Sequence, residues 1–172
     1  KVALFYSCLV NYNHPEIGKA LIRVLEKNGV EVVCPDQRDC GMPYVDLGDL
    51  KKATNNMHRN IESIYPWVVS GYDVVVPEPT CGMMLKKEYP KLIDTEEARI
   101  ISEHTFDISE FLLNLYKAGR LDTNFLWSPG RIAYHMPCHL RYQQMGNRTA
   151  ELLRLLPDTS VQFIDRGCSG HD

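Results

Sequence analysis

The hydrophobic positions fall into short runs punctuated by turn residues. Lys1–Tyr6 (KVALFY) is an apolar run of strand length. Pro15 then stands where a first helical position belongs. Ile17, Ala20, Leu21, Val24 and Leu25 recur at helical spacing until Asn28-Gly29 supplies a stop. Val30–Val33 reads as a second strand, ending at Cys34-Pro35. Strand, helix, strand in this order predicts a right-handed β-α-β crossover with parallel neighbours. Helical spacing resumes from Gly48 to Ser70, with Pro66 as an expected kink. Asp73–Val76 (DVVV) is an uninterrupted apolar run of the kind buried on both faces of a parallel sheet. Further helices are expected over Met83–Glu88 and from Glu96 to Lys117. Gly119–Gly130 lacks periodicity, carries Ser128-Pro129-Gly130, and reads as a linker.

The pattern then restarts. Lys1–Cys8 (KVALFYSC) is echoed by Arg131–Cys138 (RIAYHMPC), and Leu21–Leu25 (LIRVL) by Leu152–Leu156 (LLRLL). The strand Val30–Val33 returns as Val161–Ile164, and Asp39-Cys40-Gly41 as Cys168-Ser169-Gly170. The offset is 130 between Cys8 and Cys138 and 129 between Gly41 and Gly170, so register holds across strand, helix, strand and loop. The fold class is therefore α/β, a parallel-sheet βαβ unit present in duplicate with the second copy truncated. The first copy covers residues 1–119, a linker 120–130, and the beginning of the second copy 131–172.

Composition narrows the class. Of 172 residues, 44% are hydrophobic and 24% charged, which excludes wholesale disorder. Nineteen Lys and Arg against 22 Asp and Glu leave a net charge of −3 with only short basic stretches, so no nucleic-acid partner is expected. No apolar run approaches the roughly 20 residues of a membrane span, and no signal-peptide pattern precedes the first strand. A cytoplasmic protein is expected, with any membrane association made through partners. The chain opens at Lys1 directly on a strand, which reads as a piece of something longer.

The six cysteines carry the chemistry: Cys8, Cys34, Cys40, Cys81, Cys138 and Cys168. Spread thinly through an ordinary α/β pattern, they point to metal or redox chemistry in a reducing compartment. Cys8, Cys40 and Cys81 each follow a predicted parallel strand, and such loops share one edge of the sheet. They are expected to converge there, with Asp39 and Glu78 in reach as candidate oxygen ligands. Thiolates are soft donors that suit an iron–sulfur cluster or zinc. Cys34 has no counterpart in the second copy and is expected to point into the core as a small hydrophobe. His139 adjoins Cys138 and His171 follows the Cys-Ser-Gly turn, but a lone His near a strand end is more often hydrogen-bonded or solvated. No phosphate loop, dinucleotide fingerprint or Ser-His-Asp order is present.

The motif order Cys8 … Asp39-Cys40-Gly41 … Glu78-x-x-Cys81, restarted from Cys138, resembles the cysteine-rich CCG domain family. That family's unit is a single Cys, a later Cys-Cys-Gly, and a C-x-x-C beyond it. It occurs in the B-subunit of heterodisulfide reductase, the C-subunit of anaerobic glycerol-3-phosphate dehydrogenase, and related lactate- and glycolate-oxidising proteins. The phrases FYSCLVNYNHPEIGKALIRVLEKNGVEV, TCGMMLKKEYP and YHMPCHLRYQQMG are similar to the glycerol-phosphate branch. The resemblance implies iron–sulfur centres held by Cys8, Cys40, Cys81, Cys138 and Cys168. It also implies electron transfer between a flavin dehydrogenase and a quinone or disulfide acceptor. The partners implied are flavoprotein dehydrogenase or reductase subunits and a ferredoxin-like domain. The chain departs from the family where Asp39-Cys40 and Cys168-Ser169 replace adjacent cysteines and Glu78 opens the C-x-x-C position. Three thiolates in the first copy fit a simpler cluster with one open or oxygen-ligated iron, or a zinc with a fourth O or N ligand. The expected function is an electron-transfer component of an anaerobic respiratory-type oxidoreductase rather than a catalytic one. The alternative is a degenerate copy kept as a zinc-binding or structural interaction module. Thiol–disulfide catalysis ranks last, because the sequence contains no C-x-x-C.

Overall fold

A computed structural model of the chain describes residues 1–164 and Gly167. The candidate residues Cys168 and His171 lie outside the described residues. The chain divides into two compact units, Lys1–Asp107 and Ile108–Asp172.

The first unit is built on strands β1 (Val2–Leu4), β2 (Val32–Val33), β3 (Asp73–Val76) and β4 (Thr105–Asp107). They lie in the order β2-β1-β3-β4, and every pair is parallel. Val2 pairs with Val32 on one side and Asp73 on the other, so β1 is central, and Val2, Ala3 and Leu4 are buried. Val74, Val75 and Val76 are likewise fully buried, which is why DVVV carries no polar alternation. The expected parallel pairing of β1 with both β2 and β3 is present.

Helix α1 (Pro15–Lys27) starts on proline, whose missing N–H costs nothing in a first turn. It ends where Asn28 Nδ2 donates to the Val24 carbonyl at 2.8 Å and Gly29 turns the chain at φ +70°. After the short α2 (Met42–Asp46), α3 (Leu50–Val69) begins where the Asp49 carboxylate accepts the Lys52 N–H at 3.1 Å. Its buried stripe is Ala53, Met57, Asn60, Ile61, Ile64 and Val68. Pro66 sits inside the helix, near its end. Past β3 come α4 (Pro79–Met83), a π-helical turn at Met84–Glu88, α5 (Tyr89–Leu92) and α6 (Glu96–Glu103). The main core joins α3 and α6 to Phe5, Val74, Val76 and the segment from Cys81 to Tyr89.

Two expectations change. The single helix expected over residues 96–117 is interrupted by β4, a three-residue strand that pairs Val74 with Thr105 and Val76 with Asp107. Thr105-Phe106-Asp107 has no legible period, and pairing with the apolar β3 decides its state. The division between units therefore falls ahead of α7 (Ile108–Lys117), which belongs to the second unit and not to the first. The second strand is also shorter than expected, covering Val32–Val33 only.

The second unit contains α7, β5 (Arg131–Tyr134), α8 (Cys138–Tyr142), α9 (Arg148–Leu153) and β6 (Ser160–Phe163). Strands β5 and β6 are parallel, from Arg131 opposite Ser160 to Tyr134 opposite Phe163. Strand, helix and parallel strand thus follow the same local order as β1, α1 and β2. Thr149 Oγ1 donates to Ser109 Oγ at 3.0 Å between α9 and α7. No helix among the described residues is long and apolar enough to cross a membrane.

Candidate functional site

The strand order of the first unit creates a switch point between β1 and β3. The chain leaves β1 toward β2 on one side and returns past it to β3 on the other. Right-handed crossovers then put the two connections on opposite faces, and a crevice opens beyond the carboxyl ends of β1 and β3. Cys8 follows β1 and Cys81 follows β3, with Cys40 on the loop beyond β2.

After β1, Ser7 takes a left-handed conformation (φ 58°), a choice costing about 1 kcal/mol for a side-chain-bearing residue. The buried Ser7 Oγ accepts the Val10 N–H at 3.3 Å, anchoring the π-helical turn Leu9–Asn13. Cys8 stands exposed at the entrance of that turn. It lines a cavity of about 240 Å³ together with Tyr6, Asn11, Tyr12, Gln37 and Asp39.

The loop after β2 is held from beneath. Gln37 Nε2 donates to the Leu4 carbonyl at 3.2 Å, tying the loop to β1. Asn60, fully buried on α3, accepts the Arg38 N–H at 2.7 Å and donates to the Asp39 carbonyl at 3.0 Å. The Asp39 carboxylate accepts from Gly41 N–H at 2.9 Å and from Asn56 Nδ2 at 2.8 Å. Gly41 lies at φ +93°, and a Cβ there would sit 3.1 Å from Met57 Cε and 3.3 Å from the Ala53 carbonyl oxygen. Conformation and space both require glycine beside Cys40. Gly41→Ala is expected to lose about 2 kcal/mol of stability, read as a lower urea midpoint at unchanged slope.

After β3, the Glu78 carboxylate caps α4, accepting from Thr80 N–H at 3.0 Å and Cys81 N–H at 2.8 Å. This cap seats Cys81 inward at 2% exposure, and Cys40 is 3% exposed.

Cys40 and Cys81 are brought together. They belong to one buried cluster, and the neighbouring Cys40 thiol together with burial pushes the Cys81 thiol well above the ordinary range. The Glu78 carboxylate raises it further. The Cys8 thiol is raised chiefly by the partial desolvation of its mouth-of-cavity position, with smaller contributions from Cys40 and Asp39. Tyr89, fully buried in the same cluster, is held well above its ordinary range by burial. Among the described residues, no group of three or more His, Cys, Asp or Glu side chains is placed to hold a metal ion. The donor set nevertheless has a clear chemical character. Its sulfurs are soft, whereas the oxygens of Asp39 and Glu78 are engaged by backbone amides, so iron–sulfur or zinc fits better than a hard cation.

Cys34 does not enter the core as expected. It is exposed, at the end of β2, a two-residue strand at the edge of the sheet with a strand neighbour on one side among the described residues. In the second unit, Cys138 is half-buried as the first residue of α8, a placement after β5 like that of Cys8 after β1. Its counterpart Cys168 lies outside the described residues.

Sequence reasoning missed Asn56, Asn60 and Tyr89, which support the Cys40 loop. A signal existed: Asn60 interrupts the apolar stripe of Ala53, Met57, Ile64 and Val68 on α3. A buried amide in such a stripe needs partners, and here it organises a loop.

Comparison with known proteins agrees with this architecture. The profile of the family described as "Cysteine-rich domain" (CCG) matches residues 2–86. The chain is 34% identical to the C-subunit of anaerobic glycerol-3-phosphate dehydrogenase from Escherichia coli (strain K12), over 99% of the chain and 43% of that protein. It is 33% identical to the B-subunit of fumarate reductase (CoM/CoB) from Methanothermobacter marburgensis, over 96% of the chain and 31% of that protein. Lactate utilization protein A of Bacillus pumilus is 31% identical over 99% of the chain and 72% of its own length. The chain thus spans less than half the length of the first two relatives. No solved structure matches it. The loops that carry Cys8, Cys40 and Cys81 fall inside the matched region, and the chain belongs to the CCG cysteine-rich domain family.

Proposed function

We propose that this chain is the iron–sulfur-binding, electron-transferring part of an oxidoreductase complex. The observation that carries the reading is the pair of buried thiols, Cys40 and Cys81, in one cluster next to the β1/β3 switch point with Cys8 on the adjoining loop. Cys8, Cys40 and Cys81 would hold the centre in the first unit, and Cys138 and Cys168 are the corresponding thiols of the second. Bound there, an iron–sulfur centre supplies one-electron acceptance and donation. The chain's own residues supply the rest. Asn60 and the Asp39 carboxylate fix the Cys40 loop, and the Glu78 cap fixes Cys81. On this reading Asp39 and Glu78 shape the loops, since ligating through oxygen would release backbone amides. Relatives named as dehydrogenase and reductase subunits support partners that are flavoprotein dehydrogenase or reductase subunits together with a ferredoxin-like domain. Those partners would also mediate any association with a membrane from the cytoplasmic side, and a quinone or disulfide would be the acceptor.

One observation favours a second reading, a zinc-binding or structural module: no three donors are assembled among the described residues. Anaerobic purification of the chain separates the two. The electron-transfer reading expects brown protein with near-stoichiometric iron and acid-labile sulfide and a paramagnetic signal on reduction. Colourless protein containing zinc would overturn it in favour of the module.

A further inference from the structure

The turn that follows Cys8 has little of its own to hold it. A single π-helical turn is a rare and poorly self-supporting structure, and of Leu9–Asn13 only Val10 is buried. Leu9 and Tyr12 beside it are exposed. Val10 is therefore the anchor, and it is gripped at two points. Its backbone N–H donates to Ser7 Oγ at 3.3 Å. Its side chain lies against Gly18, the fourth residue of α1, so closely that a Cβ there would stand 2.8 Å from Val10 Cγ1. Carbon atoms settle at about 3.5–4.0 Å, so a side chain at position 18 would force the turn and the helix apart by about 0.7 Å or more. Val10 cannot swing aside cheaply, because a β-branched side chain is stiff at χ1 and this one is 4% exposed.

Glycine is otherwise a poor choice at this place. Gly18 does not take a positive φ, and after proline glycine is the weakest helix former. What its missing side chain provides is close approach. Cys8, Asn11 and Tyr12 line one side of the cavity of about 240 Å³, facing Gln37, Arg38 and Asp39 from the loop of Cys40. The separation of the turn from α1 thus bears on where Cys8 stands. We propose that Gly18 is a positioning residue of the cysteine site, which by admitting Val10 against α1 sets the place of Cys8 relative to the Cys40 loop. This deepens the proposed function and, for its effect on a bound metal, rests on that reading.

The test is a size swap in the full chain: Gly18→Ala, Val10→Ala and the double variant, with Leu25→Ala as control. Leu25 is fully buried on the same helix, about two turns further on, so its loss weakens packing away from Val10. Two signals are read. One is the rate at which iodoacetamide alkylates Cys8 in the metal-free chain, followed by mass spectrometry against the exposed Cys34 as internal reference. The other is the sulfur-to-metal charge-transfer band on titration with Co²⁺ alone. Gly18→Ala is expected to raise the Cys8 rate several-fold over that of Cys34 and, where Co²⁺ binds, to weaken its affinity about 10–100-fold, as loss of a support to a metal ligand does. The double variant should return both signals close to wild type, since the methyl gained at position 18 takes space vacated at position 10. Leu25→Ala should leave the ratio of the two rates unchanged. An unchanged Cys8 rate in Gly18→Ala overturns the inference, as does a change that the double variant fails to reverse or that Leu25→Ala reproduces. If Gly18→Ala does not fold, a double variant that folds and matches wild type upholds the inference, and one that does not overturns it. If the alkylation rates behave as expected but wild type binds no Co²⁺, the lock on Cys8 stands and the metal-site reading falls. Equal Co²⁺ affinity in wild type and every variant keeps the metal site and removes the role of Gly18.

Discussion

Replacing Cys81 by serine is expected to lower the iron and acid-labile sulfide of anaerobically purified protein at least about tenfold, whereas Cys34→Ser leaves both unchanged. The two residues differ in surroundings rather than chemistry. Cys81 is 2% exposed on a short capped helix and shares a buried cluster with Cys40, while Cys34 stands exposed beyond an edge strand. Serine is close to isosteric, so the fold should tolerate it, but its hydroxyl is a hard donor that stays protonated where a thiol would ionise on binding metal. Cluster content measured beside the circular-dichroism spectrum separates ligand loss from unfolding. Equal iron in Cys81→Ser and wild type would remove Cys81 from the site. Equal loss in both variants would show that the centre depends on something other than this pair.

The second large effect belongs to Asn60. Asn60→Ala is expected to cost about 3 kcal/mol, because it leaves the Arg38 N–H and the Asp39 carbonyl without partners and opens a cavity. Each unsatisfied buried group costs about 1–3 kcal/mol, and the loss corresponds to roughly 10 °C or more in the melting temperature of a domain this size. Asn60→Leu restores volume without restoring hydrogen bonds, and so should recover only a minor part of the loss. Full recovery by leucine would mean that packing, not the amide, is what Asn60 contributes. Chemical unfolding curves of the three proteins decide this. The Cys40 loop hangs from the same amide, so metal content should fall with stability in both variants.

Both predictions turn on features unequally visible in the sequence. Helix α1 was legible at both ends, since Pro15 and Asn28-Gly29 are local signals whose chemistry acts within one turn. Strand β3 was legible residue for residue, because an unbroken apolar run after Gly71 fits only a strand buried on both faces. The return of the strand–cysteine–helix–strand order after Arg131 was legible as repetition, and parallel β5 and β6 follow that order. Strand β4 was invisible for the opposite reason. Three residues with no period become a strand only when β3 lies alongside. Cys34 was misread on the same ground, because burial at a strand end depends on how much sheet surrounds it.

For the candidate cysteine site, the sequence alone determined the edge: thiols just past parallel strands, with Gly41 in the loop of Cys40. These are consequences of order along the chain, since loops that follow parallel strands must emerge at one edge. The tertiary structure alone decided which thiols meet and what holds them. Cys40 and Cys81 share one buried cluster with α3 and the segment through Tyr89, and Asn60 bonds the Asp39 carbonyl 21 residues away and the Tyr89 hydroxyl 29 residues away. It also decided that the carboxylates of Asp39 and Glu78 serve backbone amides. Such contacts join side chains distant in sequence, and their geometry exists only once the core has closed around them.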